Sequence, residues 1–206
     1  MSRQRHNDTK LRKIVTYCAA VLALAEVVLV LVSWILAATM TGGVRSLLSS
    51  EGIRWFFGHF TDILLSPVLV WLLLLSMAGG CLWQSGLPGL ATLSRPHYRQ
   101  RMALRMTIIL LVAYVVLTTA LTAIPHALLL SATGQLFPSA FSRALVPIVA
   151  FGVVVAAVAY GLVSGHFRSM ADVVASLSSG IGSCAPLFFL YVLAMQLYES
   201  LSFVFL

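Results

Sequence analysis

An all-α membrane fold with about five transmembrane helices is predicted by three observations on this sequence. Of its 206 residues, 60% are hydrophobic and 9% charged, where a soluble domain would carry roughly 25% charge, and the mean hydropathy is +1.00. The apolar residues gather into runs long enough to cross a bilayer, which takes about 20 helical residues. The 13 Lys and Arg residues fall between those runs, in clusters.

Taken in order, residues 1–13 form a basic N-terminus carrying Arg3, Arg5, Lys10, Arg12 and Lys13. No A-x-A-like cleavage site follows a short apolar core, so the first apolar run is expected to be retained. Span one covers residues 14–40, apolar except for Thr16, Tyr17, Glu26, Ser33 and Thr39, and can cross with tilt. The mixed-charge connection after it holds Arg45, Glu51, Arg54, His59 and Asp62, with room for a short helix starting in the Ser49-Ser50-Glu51 region. Span two covers residues 66–83, with Pro67 near its start, where a missing N–H is tolerated.

Residues 84–105 are rich in Gly, Pro, Ser and Arg and read as a polar connection. Span three runs over residues 106–130 with Pro125 and His126 near its far end, and span four over residues 144–163 with Pro147 in its first turn. In the less apolar stretch 165–183, the spacing of Asp172, Val173, Val174, Leu177 and Ile181 suits a short helix with one apolar face. Residues 177–183 also read as an irregular, polar-lined approach to span five, residues 185–206. These segments make one integral membrane domain over residues 1–206.

Charge then gives an orientation. With the N-terminus in the cytoplasm, the cytoplasmic segments collect ten basic residues, among them Arg95, Arg99, Arg101, Arg105 and Arg168, against three outside: Arg45, Arg54 and Arg143. Basic residues flanking spans stay preferentially inside, so the C-terminus is expected on the periplasmic side of a bacterial inner membrane. The net charge of +7 is a topology signal and an attraction to anionic headgroups, since it is not gathered on one polar face as a nucleic-acid-binding domain requires.

Cys18, Cys81 and Cys184 stand apart from one another and read as small buried apolar residues. His6, His59, His97, His126 and His166 lie at or outside span ends, without metal-ligand spacing, and read as interfacial. The sequence contains no G-x-S-x-G, P-loop or H-E-x-x-H. No enzymatic activity, metal or cofactor is expected.

Two acids fall inside apolar runs: Glu26 near the middle of span one and Glu199 in span five. A charged side chain at bilayer depth costs about 2.5–3.5 kcal/mol on insertion scales, so it faces other helices or a water-filled cavity. Either residue is therefore a candidate proton or cation site, or else a protonated acid hydrogen-bonded to a neighbouring helix or subunit. Gln196 and the serines Ser178, Ser179 and Ser183 are candidate polar lining. Small residues four apart, Ser76 with Gly80, Gly161 with Gly165 and Ser176 with Gly180, are candidate close helix contacts.

Three stretches together resemble the AbgT family of membrane transporters, the p-aminobenzoyl-glutamate transporter family. They are positions 46–55 (SLLSSEGIRW), positions 78–80 (AGG) with 84–87 (QSGL), and Tyr160-Gly161, Gly165, Arg168-Ser169 and Asp172-Val173-Val174 followed by the Gln196 helix. The resemblance implies a multi-span transporter whose substrate and ions bind at re-entrant hairpins, in keeping with interrupted helices near the midplane. The order and spacing match, but the sequence offers only residues 88–105 where the family places its first hairpin and further spans. It therefore resembles a shortened form, and no family site residue has a position here to map onto.

The resemblance implies an inner-membrane transporter, or half-transporter, of p-aminobenzoyl-glutamate or a related organic anion; because five helices with two acids enclose little polar volume, a homo-oligomer or a complex with another membrane protein is expected. The alternative is a non-transporting scaffold or accessory subunit of a membrane complex, which would use small-residue faces for docking.

Overall fold

The computed structural model describes residues 2–39, 43–89, 98–123 and 140–206, and every element among them is a helix. These are α1 (Ser2–Ala38), α2 (Ser50–Leu64), α3 (Pro67–Gln84), α4 (Tyr98–Ala123), α5 (Ala140–Ser164) and α6 (Met170–Phe205). All but α2 are long and apolar enough to cross a membrane, and the segments are Lys13–Ala38, Pro67–Gln84, Tyr98–Leu121, Ala144–Ser164 and Met170–Phe205. Arg95, His97, Pro125 and His126, which the sequence places in connections and at the end of span three, lie outside the described residues.

Large apolar side chains on these helices face outward. Val27, Val28, Leu31, Ile35, Ile109, Val112, Val116 and Leu117 are all at least half exposed. In water such a surface would drive aggregation; in hydrocarbon it is already solvated. A lipid bilayer is the environment in which these surfaces are satisfied. Cys81 is fully buried and Cys184 half-buried, but Cys18 is exposed. The expectation that all three cysteines are buried is corrected there, because Cys18 lies on the outward side of α1.

The chain divides into two compact units, residues 1–69 with 185–206, and residues 70–184. In the first, the backbone N–H of Arg45 donates to Val204 O at 3.1 Å, and Leu47 N–H donates to Ser33 Oγ at 3.2 Å. Both bonds tie the polar connection to helices. The apolar cluster they frame is Leu29, Leu47, Phe203 and Val204. The short helix foreseen near Ser49 is α2. Ser49 caps it, its Oγ accepting from Gly52 N–H at 3.0 Å, the kind of cap that contributes about 1 kcal/mol.

In the second unit, Cys81, Ala157, Phe167 and Val173 form the core. Tyr114 of α4 lies against Gly152 of α5, where a methyl group would collide with the ring, and its hydroxyl donates to Ile148 O at 2.8 Å. Helix α5 ends at Gly165, whose φ of +87° and N–H bond to Gly161 O at 3.1 Å make a left-handed cap.

Helix boundaries differ from the sequence reading in three places. Tyr98 and the basic residues Arg99, Arg101 and Arg105 belong to the start of α4 rather than to a connection, since the local sequence YRQRMALR is made of good helix formers. Pro147 lies inside α5 and not in its first turn. The expected short helix and span five are one helix of 36 residues, α6, with Pro186 inside it. Its serines do not break it, because Ser176, Ser179 and Ser183 return their hydroxyls to carbonyls three or four residues back, at 2.7–2.9 Å.

Helix α6 starts at a reciprocal cap. Asp172 Oδ2 accepts from the N–H groups of Arg168 at 2.8 Å and Ser169 at 3.0 Å, while Asp172 N–H reaches Ser169 Oγ at 3.3 Å. This is a capping box, and it gives the Arg168-Ser169 and Asp172 positions a physical role.

Candidate functional site

Glu26 of the first unit is half-buried and held by a side chain of α6. Ser200 Oγ donates to Glu26 Oε1 at 2.7 Å, and Gln196 Nε2 donates to Ser200 Oγ at 3.3 Å. Helical geometry sets this up: Gln196 and Ser200 are four apart on α6 and so share a face, which meets Glu26 of α1. Gln196 is 7% exposed and Ser200 0%. Two oxygens of the trio, Glu26 Oε2 and Gln196 Oε1, are buried and have no hydrogen-bond partner among the described residues. Leaving a buried polar atom unpaired costs about 1–3 kcal/mol, so this arrangement holds unused acceptor capacity on one carboxylate and one amide.

Such a pair of acceptors can take up a proton on the carboxyl, turning Oε2 into a donor, or accept a small cation. Beside it lies a cavity of about 240 Å³ lined by Glu26, Val30, Leu47, Ile53, Phe56 and Phe57. Its walls are almost wholly apolar, which makes the carboxylate the dominant polar feature.

Glu199 goes elsewhere. One residue from Ser200 and so turned by about 100° on a helix, it lines a cavity of about 460 Å³ with Arg45, Glu51, Arg54, Trp55, His59, Ser202 and Phe203. Trp55 stacks on Phe203 with ring centroids 4.5 Å apart, and the Arg45 guanidinium sits 5.8 Å over the Phe203 ring. The structure thus brings Glu26 together with Gln196, and does not bring Glu26 together with Glu199.

The serine candidates belong to the second unit. Ser179 accepts from Gln84 Nε2 at 2.6 Å, and Ser179 and Ser183 line a cavity of about 390 Å³ with Ser76, Gly80, Trp83 and Gln84. Ser178 is exposed on α6. Of the small-residue pairs, Ser76/Gly80 meets Ser176/Gly180: a methyl group on Gly80 would strike the Gly180 backbone, and one on Gly180 would strike Ser76 O. Gly161 and Gly165 serve the end of α5, where the nearest side chains are Phe167 over Gly161 and Arg99 beside Gly165.

Sequence reasoning singled out Glu26 and Gln196 separately but missed the cluster of Arg45, Glu51, Arg54 and His59 as a site. The signal present was the concentration of both charge signs in one short connection after a long apolar run.

Residues 90–204 match the family model described as the AbgT putative transporter family. The chain belongs to this family. The match covers α4, α5 and α6 up to Val204, and so includes the Tyr160-Gly161 and Asp172-Val173-Val174 stretch, while positions 46–55 and 78–87 lie outside it. Comparison with curated proteins and with solved structures gives no match. As an AbgT family member with five membrane-length helices, the chain is a membrane protein of a transporter family.

Proposed function

We propose that this AbgT family protein moves p-aminobenzoyl-glutamate or a related organic anion across a bacterial inner membrane, with its N-terminus in the cytoplasm and as part of a homo-oligomer or a complex with another membrane protein. The observation that carries the proposal, beside the family match, is the half-buried Glu26 carboxylate, with one oxygen held by Ser200 and the other buried without a partner among the described residues. An acid kept in that state between membrane-length helices is suited to taking up and releasing a proton or cation. Glu26 is the coupling residue and Glu199 a second candidate. Gln196 lines the Glu26 site, and Ser178, Ser179 and Ser183 offer polar lining in the other unit. Five helices with two acids enclose little polar volume, which is the reason an assembly is required.

The test is uptake of radiolabelled p-aminobenzoyl-glutamate into proteoliposomes under an imposed pH or sodium gradient. Wild-type protein is expected to accumulate the anion, and Glu26→Gln to lose gradient-driven accumulation while keeping its oligomeric state. Uptake unchanged in a Glu26→Gln, Glu199→Gln double variant would sink the coupling role.

The scaffold alternative reserves small-residue faces for a partner. Gly80 and Gly180 already use theirs on each other within one unit, which favours the transport reading. Under the alternative, a specific chain co-purifies in stoichiometric amount and the purified protein moves no substrate.

A further inference from the structure

The cavity around Glu199 is separate from the Glu26 site; Leu206 completes its lining, and the charges of its Arg and Glu side chains balance. Arg45 and Arg54 contribute two positive charges, Glu51 and Glu199 two negative ones. At close range opposite charges normally pair, yet these four form no ion pair with one another within 4 Å. Arg45 instead lies over the Phe203 ring, and its backbone, not its side chain, makes the tie to Val204. A net anion would meet two carboxylates here and a net cation two guanidiniums. A ligand carrying both signs a few ångströms apart would satisfy all four.

The cavity's place in the fold narrows the ligand further. Its walls are the last turns of α6 (Glu199, Ser202, Phe203), a helix of membrane length, and the connection that leaves α1. Ends of membrane-length helices lie at headgroup depth. Helix α2, which supplies Glu51, Arg54, Trp55 and His59, is amphipathic: Ile53, Phe56, Phe57 and Phe60 fall on the opposite side from Glu51, Arg54, His59 and Asp62 at 3.6 residues per turn. Phe57 is 78% exposed and Ile53 48%, as in a helix lying in the plane of the interface with its apolar side in the acyl region. A helix so placed would put Trp55 at the depth where tryptophan is enriched.

We infer that this cavity binds the zwitterionic headgroup of a phospholipid, with the phosphate on Arg45 and Arg54 and a primary ammonium on Glu51 and Glu199, which is the charge pattern of phosphatidylethanolamine. Two carboxylates suit a primary ammonium, which donates hydrogen bonds that a quaternary ammonium lacks. The Trp55–Phe203 stack closes the apolar side, and the volume of about 460 Å³ is in the range of small-molecule sites, roughly 300–1,000 Å³. Acyl chains extend into the surrounding bilayer.

The purified full chain, delipidated in mild detergent, would be titrated with phosphatidylethanolamine, phosphatidylcholine and phosphatidylglycerol of matched chains, and bound lipid counted by native mass spectrometry. A parallel arm uses soluble O-phosphoethanolamine. Preferential retention of phosphatidylethanolamine is expected, falling about tenfold in Arg54→Gln and in Glu51→Gln, since each removes one charge-assisted contact. Both positions are exposed, so both variants are expected to fold, which circular dichroism checks. Equal retention of the three lipids overturns the inference, as does an unchanged preference in both variants. Saturable binding of soluble O-phosphoethanolamine without retention of the lipid overturns the lipid as the source of the headgroup. Because neither variant touches Glu26, failure here leaves the gradient-coupling test unaffected.

Discussion

At the scale of single residues, Glu26 was legible because an acid in an apolar run is costly and must be accounted for. Its partner was not. Ser200 lies 174 positions away, and only packing of α1 against the end of α6 brings the two together. Removing that hydroxyl by Ser200→Ala is expected to destabilise the protein by about 0.5–1.5 kcal/mol, the net worth of a typical intramolecular hydrogen bond. Thermal unfolding in mild detergent measures it, and a midpoint equal to wild type would mean the contact contributes nothing. Gly165 is a second such position. Its φ of +87° is costly for a side-chain-bearing residue, so Gly165→Ala is expected to lower stability by about 1–2 kcal/mol in the same measurement.

Elements follow a different logic. Helix α2 is amphipathic and only 15 residues long, so an in-plane position at the interface is the expectation to test. A spin label at Phe57 is expected to collide with oxygen more than with a water-soluble nickel chelate, and one at Asp62 the reverse. Equal accessibility at both sites would show that α2 does not lie in the interface. Between α3 and the first half of α6, backbones approach so closely at Gly80 and Gly180 that any side chain intrudes. Gly80→Leu is expected to cost at least about 1–3 kcal/mol through overpacking, read as a lowered unfolding midpoint, with Gly79→Leu as control because nothing lies within 4 Å of a methyl group there. The sequence reading found the small residues but not which pairs meet. It also split α6 in two, because the Ser- and Gly-rich stretch looks like a breaker when the hydroxyl-to-carbonyl bonds along the helix are not visible.

For the molecule as a whole, membrane class and number of membrane-length helices followed from run lengths alone, and the family from three motif stretches, of which the one running from Tyr160 to Val174 falls within the match to residues 90–204. The ten-to-three bias of basic residues predicts a cytoplasmic N-terminus. Reporter fusions after the N-terminal segment and after Leu206 are expected to be active on opposite sides of the membrane. Activity of both reporters on the same side would rule out this five-span topology.

Sequence by itself determined that the protein lives in a bilayer, how many membrane-length helices it has and which acids are expensive, since these depend on local hydropathy and on the cost of charge in hydrocarbon. Tertiary structure decided which acid meets Ser200 and an apolar cavity and which lines a cavity with Arg45 and Arg54. Glu26 and Glu199 look alike as letters in apolar runs. The rotation of about 100° between neighbouring helical positions turns Ser200 to Glu26 and Glu199 to the arginines, and only the packing of helices distant in sequence fixes where each face points.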